Sequence, residues 1–73
     1  NAYILLTVDP PKTQSVVQSL RSIPRATVRE VLGPYDVVVE LHAESPEDVT
    51  SILRSRIRHI DGVTSTVTCM WLD

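Results

Sequence analysis

Residues 33–36 read Gly-Pro-Tyr-Asp and form a short break between two runs of aliphatic side chains. These residue types suit the recognition of a small zwitterion. Backbone N–H groups in a tight turn donate to a carboxylate, and a glycine such as Gly33 lets a ligand approach the chain closely. The Asp36 carboxylate is able to accept from an ammonium group, and threonine hydroxyls donate or accept as needed. Pro34 removes one N–H from the turn and so narrows what it can hold. A structural reading stands beside each of these. Gly33 and Pro34 make a turn, Tyr35 packs as an aromatic plug, and Asp36 bonds within the turn or pairs with an arginine.

Other chemistry-bearing residues are less well placed. His42 and Glu40, two apart, offer a general base, but no second group with a defined catalytic role accompanies them. His42, His59 and Cys69 fall at no metal-ligand spacing, and neither a metal nor a cofactor is expected. Arg54, Arg56 and Arg58 alternate along a helical segment, so they point to different faces and build no phosphate patch. Arg25 and Arg29 are offset by Glu30, and Trp71 is expected to pack on a helix or a neighbouring chain.

The elements that must position these residues follow from periodicity and punctuation. Residues 2–8, Ala-Tyr-Ile-Leu-Leu-Thr-Val, predict a strand stopped by Asp9-Pro10-Pro11. Val16, Val17, Leu20 and Ile23 then form one stripe of an amphipathic helix that Pro24 ends. Residues 25–32 predict a second strand and Asp36–His42 a third, joined through the Gly-Pro-Tyr-Asp turn as a hairpin. Ser45 is placed to cap a second helix, with Pro46 at its first position and Glu47 and Asp48 at its positive end. Val49, Ile52, Leu53, Ile57 and Ile60 make its apolar stripe, Asp61-Gly62 stops it, and residues 63–72 predict a fourth strand. The order βαββαβ carries a weak internal repeat: shifted by 37 residues, Val16, Leu20 and Ile23 fall on Leu53, Ile57 and Ile60. That is the pattern of a split βαβ, ferredoxin-like α+β fold.

Length and charge bound the rest. A chain of 73 residues makes a single domain, 1–73, and its net charge of −2 with a pI near 5.5 gives no electrostatic footprint for nucleic acid. No apolar run has the length of a membrane span, and the lone Cys69 has no partner for a bridge, which makes the cytoplasm the expected location. A core this small rarely supplies more than ~3–5 kcal/mol without disulfides, metal or partner subunits. Self-association is therefore expected. Strand alternation assigns Tyr3, Leu5, Val38, Met70 and Leu72 to the sheet face without helices, interleaved with Thr64, Thr66, Thr68, Glu40 and His42. Five apolar groups on one such face predict a contact with a second copy, where even a few hundred Å² of apolar burial adds several kcal/mol at about 25 cal/mol per Å².

The combination of "AYILLTVDP", the Gly-x-Tyr-Asp hairpin followed by an aliphatic strand, and "IDGVTSTVT" entering the last strand resembles the regulatory (RAM) domain of the Lrp/AsnC, or feast/famine, regulators. The resemblance covers the whole chain and rests on the order and spacing of the pieces. It implies a ferredoxin-like subunit dimerising sheet to sheet as a dimeric α+β barrel, with dimers assembling further, often to an octamer. It also implies an amino acid or related small effector bound between dimers, near Gly33, Tyr35, Asp36, Thr66 and Thr68. The helix-turn-helix that precedes this module in full-length regulators is not part of residues 1–73, so a stand-alone or excised form without DNA binding of its own is expected, and the resemblance implies a full-length regulator as its partner. The rival expectation is a small cofactor-free dimeric barrel enzyme of the monooxygenase or isomerase type, with Glu40 and His42 in its cavity.

Overall fold

A computed structural model describes residues 1–72. Strand β1 (Ala2–Val8) leads through a 3₁₀ turn at Pro10–Lys12 into helix α1 (Thr13–Arg21), then β2 (Ala26–Glu30) and β3 (Val37–Leu41). Helix α2 (Pro46–Ile52) continues into a wide π-helical turn, Leu53–Ile57, before β4 (Val63–Met70). The four strands form one antiparallel sheet in the order β2-β3-β1-β4, with both helices on one face. This is the α+β, ferredoxin-like arrangement that the sequence predicts.

The alternation of β1 explains the core. Ala2, Ile4, Leu6 and Val8 are buried, and the first three pair with Leu41, Val39 and Val37 of β3. Val16, Val17, Leu20 and Ile23 of the α1 region and Val49, Leu53 and Ile57 of the α2 region close over them. In α2 the apolar spacing is four, then four. A regular helix would drift by about 40° per such step. The π turn takes up the drift, with Arg58 N–H reaching Leu53 O at 3.0 Å, and Ile57 stays fully buried. The helix starts as expected: the Ser45 side chain accepts from Asp48 N–H at 3.2 Å.

Two strand ends and one facing differ from the periodicity reading. Strand β2 stops at Glu30; Val31 N–H still meets Asp36 O in register (3.0 Å), and beyond that bond the hairpin loop leaves Leu32 fully exposed. The last strand stops at Met70, although Trp71 N–H still reaches Asn1 O at 3.0 Å. The larger difference is one of face. The β1–β4 register pairs Thr7 with Ser65 but Val8 with Val63, so Thr64 is an extra residue, a β-bulge. Both Thr64 and Ser65 hydroxyls meet Thr7 Oγ1, at 2.7 and 2.6 Å. A one-residue insertion reverses the facing of everything that follows. Thr66, Thr68 and Met70 therefore pair with Leu6, Ile4 and Ala2 and lie on the helix-bearing face, while Val67 and Cys69 join Leu5 and Tyr3 on the open one. The assignment of Thr66, Thr68 and Met70 to the open face is thus corrected. Leu72 lies past the end of β4 and is fully exposed.

Candidate functional site

The hairpin mouth is built from three segments. Gly33 has φ +156°, the loop conformation a glycine tolerates, and no atom outside its neighbours comes within 4 Å of where a Cβ would stand. Tyr35 is half-buried. Asp36 ties the loop to β1: its N–H donates to Leu6 O (2.9 Å), and its Oδ2 accepts from Val8 N–H (2.9 Å). The Asp36 side chain thus bonds outside the turn, to the end of β1, rather than within the turn or to an arginine as its structural reading expected. A cleft of about 260 Å³ opens beside it, lined by Thr13, Glu30, Val31, Leu32 and Asp36. Two carboxylates, Glu30 and Asp36, and the Thr13 hydroxyl give this cleft acceptors suited to an ammonium group. Glu30 and Thr13 were not singled out from sequence; the only available signal was that the start of a helix after β1 must sit near the hairpin in a split βαβ unit.

The last-strand threonines stand elsewhere. Thr66 lines a second cleft, about 240 Å³, with Arg58, Val63, Thr64 and Ser65. It sits opposite Leu6, whose carbonyl also receives Asp36 N–H, so strand β1 separates Thr66 from the hairpin within one chain. Thr68 pairs with Ile4, further from the hairpin. Asp36 and Thr66 thus line two different clefts, on opposite sides of β1.

The open sheet face carries the second cluster. Tyr3 and Trp71 stack there with ring centroids 5.5 Å apart, and Leu5, Val38 and Val67 adjoin them through the strand register. Tyr3, Val67 and Trp71 are each about 40% exposed. None of the three aromatic residues of the chain enters the buried core, which is wholly aliphatic. On the same face His42 Nε2 lies 3.1 Å from Glu40 Oε2, so the candidate general base is paired with its neighbour. Among the described residues no group of three or more His, Cys, Asp or Glu gathers as a metal site. No helix among them is long and apolar enough to cross a membrane.

The family model described as the Lrp/AsnC ligand binding domain matches residues 1–73. The chain belongs to this family. The Lrp/AsnC domain is 31% identical over 71 residues to an uncharacterized HTH-type transcriptional regulator of Pyrococcus furiosus, an alignment covering 92% of this chain and 47% of that one. It is also 36% identical over 61 residues to a segment of a homocitrate synthase of Sulfurisphaera tokodaii, covering 82% of this chain and 13% of the enzyme. The chain thus spans about half the length of the regulator and a small part of the synthase. In fold it matches AsnC of Escherichia coli with TM-score 0.92 at 22% identity, over 99% of this chain and 50% of that one. The family and the regulator relative support a regulatory module; the synthase match is partial.

Proposed function

We propose that this Lrp/AsnC domain is a non-catalytic module that binds an amino acid or a related small effector and converts binding into a change of assembly. The observation that carries this reading is the open sheet face, where the stacked Tyr3–Trp71 pair, Leu5, Val38 and Val67 are left in water by a chain whose own core uses no aromatic residue. A second copy laid sheet to sheet covers that face and forms a dimeric barrel. The separation of the hairpin cleft from Thr66 and Thr68 supports an effector site completed by contact between dimers, with Gly33, Tyr35 and Asp36 from one side and the threonines from another. The effector then acts by linkage: it favours the assembly state for which its affinity is greater, by no more than that difference in affinity.

The same reading makes a full-length regulator of this family the partner that carries the signal onward, by exchanging subunits in the cytoplasm. Similarity to a segment of a homocitrate synthase supports a sensing module that can be joined to different output domains.

Calorimetric titration with the standard amino acids, run beside light scattering on a sizing column, tests the proposal. At least one amino acid should bind and shift the mass distribution, and Asp36→Asn should weaken that binding. Failure of all amino acids to bind would leave an assembly module without a sensor.

A further inference from the structure

Two departures from regular backbone geometry flank one cleft, at the end of the sheet opposite the hairpin. Arg25 is the one non-glycine residue with positive φ among the described residues (63°), held there as His42 N–H donates to its carbonyl at 3.1 Å. The π turn at Leu53–Ile57 carries Arg56. Both conformations cost free energy that regular structure would avoid, and both are found preferentially where a chain must aim particular groups. Here they bring two guanidinium groups to the same opening, of about 430 Å³.

The cleft has an ordered lining. Asp48, Ile52 and Arg56 are spaced four apart along the α2 segment, so one ridge reads anion, aliphatic, cation. Ala43, half-buried, and the small exposed edge of Ile23 add apolar surface to the same lining. The ion pairs among the described residues are Lys12–Asp61, Arg25–Glu44 and His42–Glu40, so Asp48 and Arg56 have no ion-pair partner there. Arg25 meets Glu44 only at 3.9 Å, with both side chains largely in solvent. Eight residues of helix rise about 12 Å, and the longer Arg56 side chain, leaning toward the N-terminus, can shorten that span to about the length of six carbon atoms.

We propose that this cleft binds an ω-amino carboxylic acid, an aliphatic chain with a carboxylate at one end and an ammonium group at the other. The carboxylate sits between Arg56 and Arg25, the chain crosses Ile52 and Ile23, and the ammonium group meets Asp48. A dicarboxylate or phosphate ester is disfavoured by Asp48 and Glu44. A simple aliphatic α-amino acid would set its ammonium group against the arginines and leave Asp48 unmet. This site is independent of the effector site proposed at the hairpin.

The test uses 6-aminohexanoate as probe, with amide chemical-shift mapping and calorimetry on the whole chain and on Asp48→Asn, Arg56→Gln and Asp36→Asn. The expected shifts fall on residues 23–25, 42–44 and 48–56. Loss of either charged partner should weaken binding by about tenfold or more, and hexanoate and hexylamine should be weaker by a similar factor. Asp36→Asn should leave the affinity unchanged. Asp48 and Arg56 are exposed, so retained amide spectra separate loss of the site from loss of the fold. No binding, shifts confined to residues 31–36, or equal affinity in Asp48→Asn and Arg56→Gln would overturn the proposal.

Discussion

At the scale of single residues, the two glycines separate backbone strain from crowding. A Cβ on Gly62 would stand 2.8 Å from Lys12 Cβ and 2.9 Å from Val16 Cγ2, at φ +106°. Gly62→Ala should therefore cost about 2–4 kcal/mol, strain and overpacking together. Gly33→Ala meets open space and should cost only about 1 kcal/mol from its backbone conformation. Urea unfolding of both variants checks the order. The sequence marked Gly62 as a helix stop, but its close approach to Lys12 joins residues far apart in the chain and has no local signature. Asp36 was legible as a hairpin carboxylate; its bond to Val8 N–H was not, for the same reason. Asp36→Ala should lose about 1 kcal/mol by orphaning that donor, whereas Asp36→Asn, which keeps a side-chain oxygen, should stay close to wild type in the same unfolding experiment.

At the scale of elements, the legible parts were those whose two faces differ strongly. Strands β1 and β3 alternate buried aliphatic residues with more accessible ones. The stripe positions Val16, Val17, Leu20, Ile23, Val49, Leu53 and Ile57 are buried as their periodicity demands, with Ile52 and Ile60 only partly so. Strand β4 was not legible in this way. Its threonines suit either face of a half-covered edge strand, so nothing in the pattern revealed that the bulge at Thr64 reverses the facing of Thr66, Thr68 and Met70. The cap of α2 illustrates the opposite case, where a local rule suffices. Ser45→Ala should destabilise the chain by about 1 kcal/mol, seen as a lower urea midpoint with an unchanged slope.

At the scale of the whole molecule, two properties point the same way. A 73-residue chain with an aliphatic core and no disulfide has little stability in reserve, and its aromatic side chains are spent on a surface. Covering the open face with a second copy removes apolar area from water and stabilises both copies at once, so folding and association should be coupled and the unfolding midpoint should rise with protein concentration. The corrected facing of β4 sharpens this account. In the proposed contact Val67, on the open face, would be covered, whereas Met70, comparably exposed on the other face, would not.

Sedimentation equilibrium at micromolar concentration, comparing the wild-type chain with Val67→Lys and Met70→Lys, tests that claim most directly. The sheet-to-sheet account predicts a dimer or larger assembly for the wild type and for Met70→Lys, and dissociation for Val67→Lys. A wild-type chain that sediments as a folded monomer, or two lysine variants that behave alike, would contradict it.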